Sequence, residues 1–453
     1  MENRAQVASR PPISDVSGYV GLTGLLGFLV WLLFCRNYPA IAAFLELPGR
    51  HQLLSGPYAA LLALAFSGGP MVLWSIFHDK VHRRASTGID WDNPRSLASI
   101  AKVSATKIAG LWATWAIIGA AYCLGRWYWS GQYLFAMEVI GFAALPLIVL
   151  SVPYVIWIDR VMINPRDHTW HFGAMLMGRE PFDWDQVKCH WRSWIIKGFF
   201  GAFMVSILPG GWYSVVTADA ASIVGDPVSF GVLLFELLFL IDVQIGTVGY
   251  LLTLRPLDAH IRSGNPFLSG WVAALICYPP FVFAVMAGQG IIAYEVNTAD
   301  WAHWFAGNTL LLWIWAALLV ALTVIYAWAT AIFGIRFSNL TYRGVLTNGP
   351  YRFTRHPAYL SKNLFWWCST MPFMVTSGNI VDVIRNTFFL GVVSAIYYWR
   401  ARTEEAHLLG EDPKYREYYD WMAQHGLITR NMRRIGRLVI PRRFVTRAAE
   451  PAE

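Results

Sequence analysis

The sequence predicts an all-α protein, a polytopic bundle of about ten transmembrane helices with both termini on the cytoplasmic side. Three observations predict it. Of 453 residues, 56% are hydrophobic and only 14% charged, where a soluble domain carries roughly 25% charge. Apolar runs of about 20 residues, the length that crosses the hydrocarbon core, recur along the chain. The basic residues gather in alternate loops between those runs.

Taken in order, the runs cover residues 18–35, 57–77, 108–125, 134–158, 195–217, 229–254, 270–296, 304–335, 359–376 and 380–399. The segment before the first run carries Arg4 and Arg10 but has no small-residue cleavage site, so the run reads as a retained helix, not a signal peptide. Ser377, Gly378 and Asn379 are all that separate the last two runs, which predicts a tight helical hairpin.

Charge tests this partition. With the N-terminus inside, 32 of the 36 Lys and Arg residues fall on the cytoplasmic side, and only Arg36, Arg50, Arg126 and Arg385 fall on the other. A missed or invented span would invert every later loop and scramble that split. The net charge of +8 is therefore a topology signal, and nucleic acid is not an expected partner. Cys35, Cys123, Cys189, Cys277 and Cys368 lie scattered without CxxC spacing, which excludes a disulfide framework or a zinc ribbon. No long linker, internal repeat or low-complexity tract divides the chain. The expected organisation is a membrane region of about seven spans over 1–303, a functional helical region over 304–430 and a basic tail over 431–453.

Chemistry concentrates in two stretches. The first runs from Arg336 through Asn348-Gly349-Pro350-Tyr351 to Arg355-His356-Pro357-Ala358-Tyr359, a polar loop that turns at Asn348-Gly349-Pro350 and enters the ninth run at Pro357. Arg355 and His356 thus sit at a helix N-terminus at the membrane surface, where unpaired backbone N–H groups suit a carboxylate or another acceptor-rich ligand. The second stretch leaves the tenth run as Arg400-Ala-Arg402-Thr-Glu404-Glu405-Ala-His407-Leu408, followed by Tyr415 and Tyr418. A minimal hairpin makes the two cytoplasmic ends neighbours, so both stretches converge on one site.

Together these residues resemble the isoprenylcysteine carboxyl methyltransferase and phospholipid methyltransferase group of integral-membrane enzymes. That pattern, roughly G-x-Y-x-x-x-R-H-P-x-Y, then a hairpin, R-x-x-x-E-E-x-x-L and spaced tyrosines, is matched by Gly349, Tyr351, Arg355, His356, Pro357, Tyr359, Arg400, Glu404, Glu405, Leu408, Tyr415 and Tyr418. It covers about 80 to 100 C-terminal residues. The resemblance implies S-adenosylmethionine bound on the cytosolic side and an amphiphilic or lipidated acceptor arriving from the bilayer. It further implies that Gly349, Tyr351, Arg355, His356, Pro357, Tyr359, Glu405, Tyr415 and Tyr418 hold the cofactor, and that His356, Arg400 and Glu404 act in catalysis. Physical chemistry agrees: Glu404 or Glu405 suits a sulfonium or ammonium, Arg355 or Arg400 a carboxylate, and tyrosine faces adenine. The chain departs from the pattern where Ser361-Lys362 follows Tyr359 in place of a small residue, and where a basic tail replaces a Pro-rich ending.

Plainer readings stand beside these. Arg355-His356-Pro357 also reads as a surface cap with a basic anchor, and Glu404-Glu405 as a solvated helix face paired with Arg400 and Arg402. Arg430 to Arg447 reads as an anionic-lipid anchor. Asp242 and Glu236 fall inside the sixth run, and Asp242 near its middle is a substrate-pocket candidate or simply a partner of Gln244 or of a neighbouring helix. His168 and His171 have a spacing that suits a metal, but no third ligand follows, and an interfacial segment is the expectation; no metal site is predicted. A sterol-reductase-like NADPH enzyme and a transporter or lipid-binding scaffold are the competing functions. A bacterial inner membrane or an ER-like membrane is the expected location, with membrane lipids as partners.

Overall fold

The computed structural model describes residues 10–286 and 290–439. The protein is an all-α polytopic membrane bundle, and among the described residues eight helical segments are long and apolar enough to cross a bilayer. α1 (Gly18–Phe44) and α2 (Pro57–Leu73) pack as an antiparallel pair, and a π-helical turn over Trp74–His78 extends α2. α3 (Leu97–Gly125) and α4 (Leu134–Val161) make a second pair. α5 (His168–Met177) is short and lies against α3, where two glycines permit a close crossing: a Cβ on Gly173 would come within 2.0 Å of the Thr106 carbonyl oxygen. α6 (Trp184–Ile196), a π turn and α7 (Ala202–Thr217) read as one span; α8 (Ala220–Ile223) then leads to α9 (Pro227–Leu251).

Polar caps start these helices. Ser96, Asp167, Asp183, Asp226, Asn308, Asn379 and Asp412 each accept a backbone N–H in the first turn of the helix that follows, satisfying donors that have no intrahelical partner.

Two of the ten predicted spans are interrupted. The seventh apolar run forms α10 (Leu268–Leu275), turns through Pro279 and Pro280, and resumes only as α11 (Phe281–Val285), because proline lacks the N–H that would continue the ladder. A short α12 (Trp301–Trp304) precedes the eighth span, α13 (Thr309–Ala331). The ninth run gives only the 14 residues of α14 (Pro357–Thr370), which ends on Met371 at φ +47° with Pro372 behind it. Both interrupted pieces still run the length of α15 (Ile380–Glu411). Asn265 donates to the Thr403 carbonyl, Met286 packs with Leu390 and Val393, and Asn297 reaches Asp382. Tyr359 meets Glu404, Trp367 meets Ser394, and Thr376 meets Asn297. Among the described residues eight of the predicted spans are long helices, and the other two apolar runs form shorter broken pieces packed along α15.

One end of the bundle gathers the loops that carry most basic residues. There Ser17 bonds Asp79, Asp90 N–H bonds the Val161 carbonyl, and Asn348 bonds the Val16 carbonyl. α16 (Pro413–His425) folds across this end, and α17 (Leu427–Val439) follows it. The basic run from Arg430 onward leaves the described residues at position 440, and Arg4 also lies outside them. A two-residue antiparallel pairing, Ser263 with Tyr342 and Gly264 with Thr341, ties the loop before α10 to the loop after α13.

Candidate functional site

At 32 residues, α15 is about 48 Å long at 1.5 Å per residue, against ~30 Å of hydrocarbon. Its last third therefore stands clear of the apolar layer and carries Arg400 to Glu411 with it. α14 begins beside this projection at Pro357, the first helical residue; His356 makes no side-chain cap and holds φ −130° and ψ 60°. The Arg-His-Pro corner and the diacid helix touch. His356 Nε2 lies 3.0 Å from Glu405 Oε1, and Arg355 Nε lies 2.7 Å from the same oxygen. Tyr359 donates to Glu404, whose Oε1 is 3.3 Å from Arg400 Nε.

Next to these pairs opens a cavity of about 170 Å³. Its wall includes Tyr278, Tyr326, Tyr351, Tyr359, Tyr397, Tyr415 and Tyr418, with Arg355, His356, Lys362, Arg400 and one acid, Glu404. Neighbouring carboxylates thus take different positions. Glu404 borders the cavity; Glu405 is buried behind it, held by Arg355, His356 and by Arg402 at 2.7 Å. Hydrogen bonds from His356 and Arg402 and the Arg355 ion pair compensate the buried carboxylate and fix the corner on the helix.

Sequence-predicted residues divide by position. Tyr351, Arg355, His356, Tyr359, Arg400, Glu404, Tyr415 and Tyr418 line the cavity. Gly349, Pro357, Glu405 and Asp242 do not border it. Gly349 takes φ +55° in the turn, and a Cβ there would press within 3.2 Å of Ile332 and Trp328. Pro357 is buried at the start of α14. Asp242 lies one layer behind the wall: Tyr326, a lining residue, donates to its Oδ2 at 2.9 Å, while Oδ1 is buried with no partner. Gln244, offered as its partner, is also buried with its amide unpaired, so the two do not bond. Glu236 accepts a hydrogen bond from Ser214.

His168 and His171 serve different contacts. His168 Nδ1 is 3.2 Å from His190 Nδ1, and His171 Nδ1 accepts the Asp183 N–H at 3.2 Å. Around them Lys107 bridges Asp159 at 2.5 Å and Asp167 at 3.2 Å, so the loop is part of a buried polar cluster joining α3, α4, α5 and α6.

The loop after α13 supplies residues that spacing did not single out. Asn339 Oδ1 accepts from Arg400 Nη2 at 2.6 Å, while its amide donates to the hydroxyls of Tyr250 and Tyr278 at 2.9 and 3.1 Å. It links three elements and aims Arg400. Leu340 beside it takes φ +58°, a strained conformation for a bulky residue, held by burial against the α7 and α9 aromatics. Arg343 donates to the Gly249, Phe337 and Ile335 carbonyls at 2.9, 2.8 and 2.8 Å and to Ala259. Burial, reinforced by Arg336, pushes its guanidinium down to about 9, so it remains a cation at neutral pH. Arg336 pairs with Asp258 at 2.6 Å. Burial also raises the Tyr415 and Tyr418 phenols above their ordinary value, and Tyr418 donates to the Tyr351 carbonyl at 2.7 Å. The available signal for Arg336, Asn339 and Arg343 was their presence in the same polar loop; their targets lie on distant helices.

Chemically, the cavity combines a carboxylate, the imidazoles of His356 and His407, abundant aromatic faces and, among the described residues, one cation without an ion pair or hydrogen bond, Lys362. Comparison of the chain with protein-family models, with curated proteins and with solved structures gives no match.

Proposed function

We propose that the protein is an integral-membrane methyltransferase that moves a methyl group from S-adenosylmethionine to a lipid-like or otherwise apolar acceptor. The observation that carries the proposal is the meeting of the Arg355-His356 corner with the Glu404-Glu405 helix beside one tyrosine-lined cavity. The donor set fits the cofactor. Glu404, the single acid on the wall, suits its ammonium or sulfonium, and Arg355 or Arg400 its carboxylate. Tyr351, Tyr359, Tyr415 and Tyr418 offer faces for adenine. When bound, S-adenosylmethionine supplies an electrophilic methyl group on a sulfonium.

The chain's own groups have separable tasks in this reading. Glu405 accepts from His356 Nε2, which leaves Nδ1 as the basic nitrogen, able to take a proton from an acceptor that carries one. Asn339 and Glu404 hold the Arg400 guanidinium in place. The tyrosine wall limits water, which favours a step whose rate comes from alignment.

A reductase using NADPH is less well supported. Its several phosphates call for several free cations at once, yet Arg336 is paired with Asp258 and Arg343 with carbonyls, whereas one carboxylate needs only the donors that Arg355 or Arg400 keeps beyond its Nε pair with Glu405 or Glu404. Thermal unfolding of detergent-purified protein tests the choice. S-adenosylhomocysteine is expected to raise the midpoint, NADPH to leave it unchanged, and the gain to vanish in His356→Ala and Glu404→Gln. Ligand at 100-fold its Kd stabilises by about 2.7 kcal/mol. Stabilisation by NADPH alone would reverse the assignment.

A further inference from the structure

The deep end of the cavity contains a cation that the chemistry above does not use. Lys362 lies one and a half turns into α14 and borders the cavity. Its ammonium stands 5.4 Å from the Tyr326 ring centre, 5.2 Å from Trp366 and 5.8 Å from Tyr397, within cation–π range of all three. Among the described residues no carboxylate lies within the 4.0 Å of an ion pair. Asp242 behind Tyr326 is the nearby acid, and it is engaged by the Tyr326 hydroxyl instead.

An ammonium at this depth needs compensation. Three ring faces supply part of it, and among the described residues no acceptor atom saturates its three N–H donors. Tyr397 lies seven residues before Glu404 on α15, so the cage sits about 10 Å deeper than the acid at 1.5 Å per residue. The two ends of the cavity differ accordingly: Arg355, His356, Glu404, Tyr415 and Tyr418 mark the outer end, and the caged lysine marks the end nearer the apolar layer.

We infer that Lys362, caged by Tyr326, Trp366 and Tyr397, is an anion-recognising subsite that takes the acidic headgroup, carboxylate or phosphate, of an amphiphile whose chain lies toward the bilayer. This rests on the methyltransferase reading only in calling that amphiphile the acceptor; the subsite itself rests on the cage and the unsatisfied donors. A neutral or cationic headgroup gains nothing there, so Lys362 sets specificity by charge.

Thermal shift on the full chain in detergent provides the test, with oleate, oleoyl lysophosphatidate and oleyl alcohol added at equal mole fraction in the micelle. One or both anions should stabilise the wild-type chain more than the alcohol does, and the stronger arm tells carboxylate from phosphate. Lys362→Gln and Lys362→Met should abolish that preference, raising the mole fraction required by about tenfold or more, and Lys362→Arg should retain it. Equal shifts for acid and alcohol, or a preference that survives in Lys362→Gln, would overturn the subsite and leave Lys362 as a distant counter-charge to Asp242. S-adenosylhomocysteine is run on every variant. If it stabilises none of them while the lysine-dependent preference persists, the methyltransferase reading fails and the subsite stands; the opposite pattern removes the subsite alone.

Discussion

Residues with the same charge in adjacent positions do different work here. Glu405 is 3% exposed and holds three basic side chains, whereas Glu404 faces the cavity with Tyr359 and Arg400 as partners. Removing the charge from Glu405 strands Arg355 inside the protein, and breaking a buried pair from one side costs about 3–5 kcal/mol. Glu405→Gln is therefore expected to lower the unfolding midpoint sharply in detergent, while Glu404→Gln lowers it little and removes the S-adenosylhomocysteine shift. Equal midpoints for the two variants would contradict this division. Asn339 is a positioning residue of the same kind, since Arg400 depends on its Oδ1 at 2.6 Å.

At the scale of elements, close helix crossings and interrupted helices shape the bundle. The α3–α5 crossing depends on Gly110 and Gly173, whose missing side chains let backbones touch. Gly173→Ala forces the helices apart, and overpacking of this sort costs about 1–3 kcal/mol; the drop should appear in thermal unfolding and exceed that of Gly178→Ala, where a Cβ meets open space although φ is +61°. The same region predicts a pH response. Burial pushes His168 down to about 4, with Asp167 opposing and Lys197, Arg255 and Lys107 assisting. Unfolded, it titrates near 6.5, so between these values the unfolded chain binds more protons. Its contribution is complete above pH 6.5 and declines as pH falls, by about 2 kcal/mol at pH 5. Midpoints measured from pH 7.5 to 5 should fall less steeply in His168→Gln than in the wild type.

Across the whole molecule, the N-terminal segment closes the bundle onto the C-terminal helices. Lys414 of α16 donates to Asp15 Oδ1 at 2.6 Å, and the Val345 N–H donates to Oδ2 at 2.7 Å. Burial alone would raise the Asp15 carboxyl; the Lys414 and Val345 hydrogen bonds more than offset it and hold it below its ordinary value. Asp15→Asn and Lys414→Met should each destabilise by about 1–2 kcal/mol. The double variant should fall short of their sum, because both remove one interaction. Additive losses would show that the two ends are held independently.

The membrane character, the long apolar helices and the meeting of the two polar stretches were legible in the sequence by itself, because hydropathy and basic-loop bias are local quantities that lipid enforces strongly. The predicted hairpin at Ser377-Gly378-Asn379 announced that His356 and Glu405 would be neighbours, and they are, although the connection is longer than the minimal turn expected: residues 371–379 join α14 to α15 because α14 stops at Thr370. Tertiary structure alone decided which glutamate reaches the cavity, that Asn339 and Tyr278 aim Arg400, and that Lys362 is caged by rings from three helices. It also decided that the seventh and ninth passes are broken, where prolines override an apolar pattern long enough to span. The physical reason is common to all of these: a side chain's facing and partners depend on how helices distant in sequence rotate against one another, and no local pattern of residues encodes that rotation.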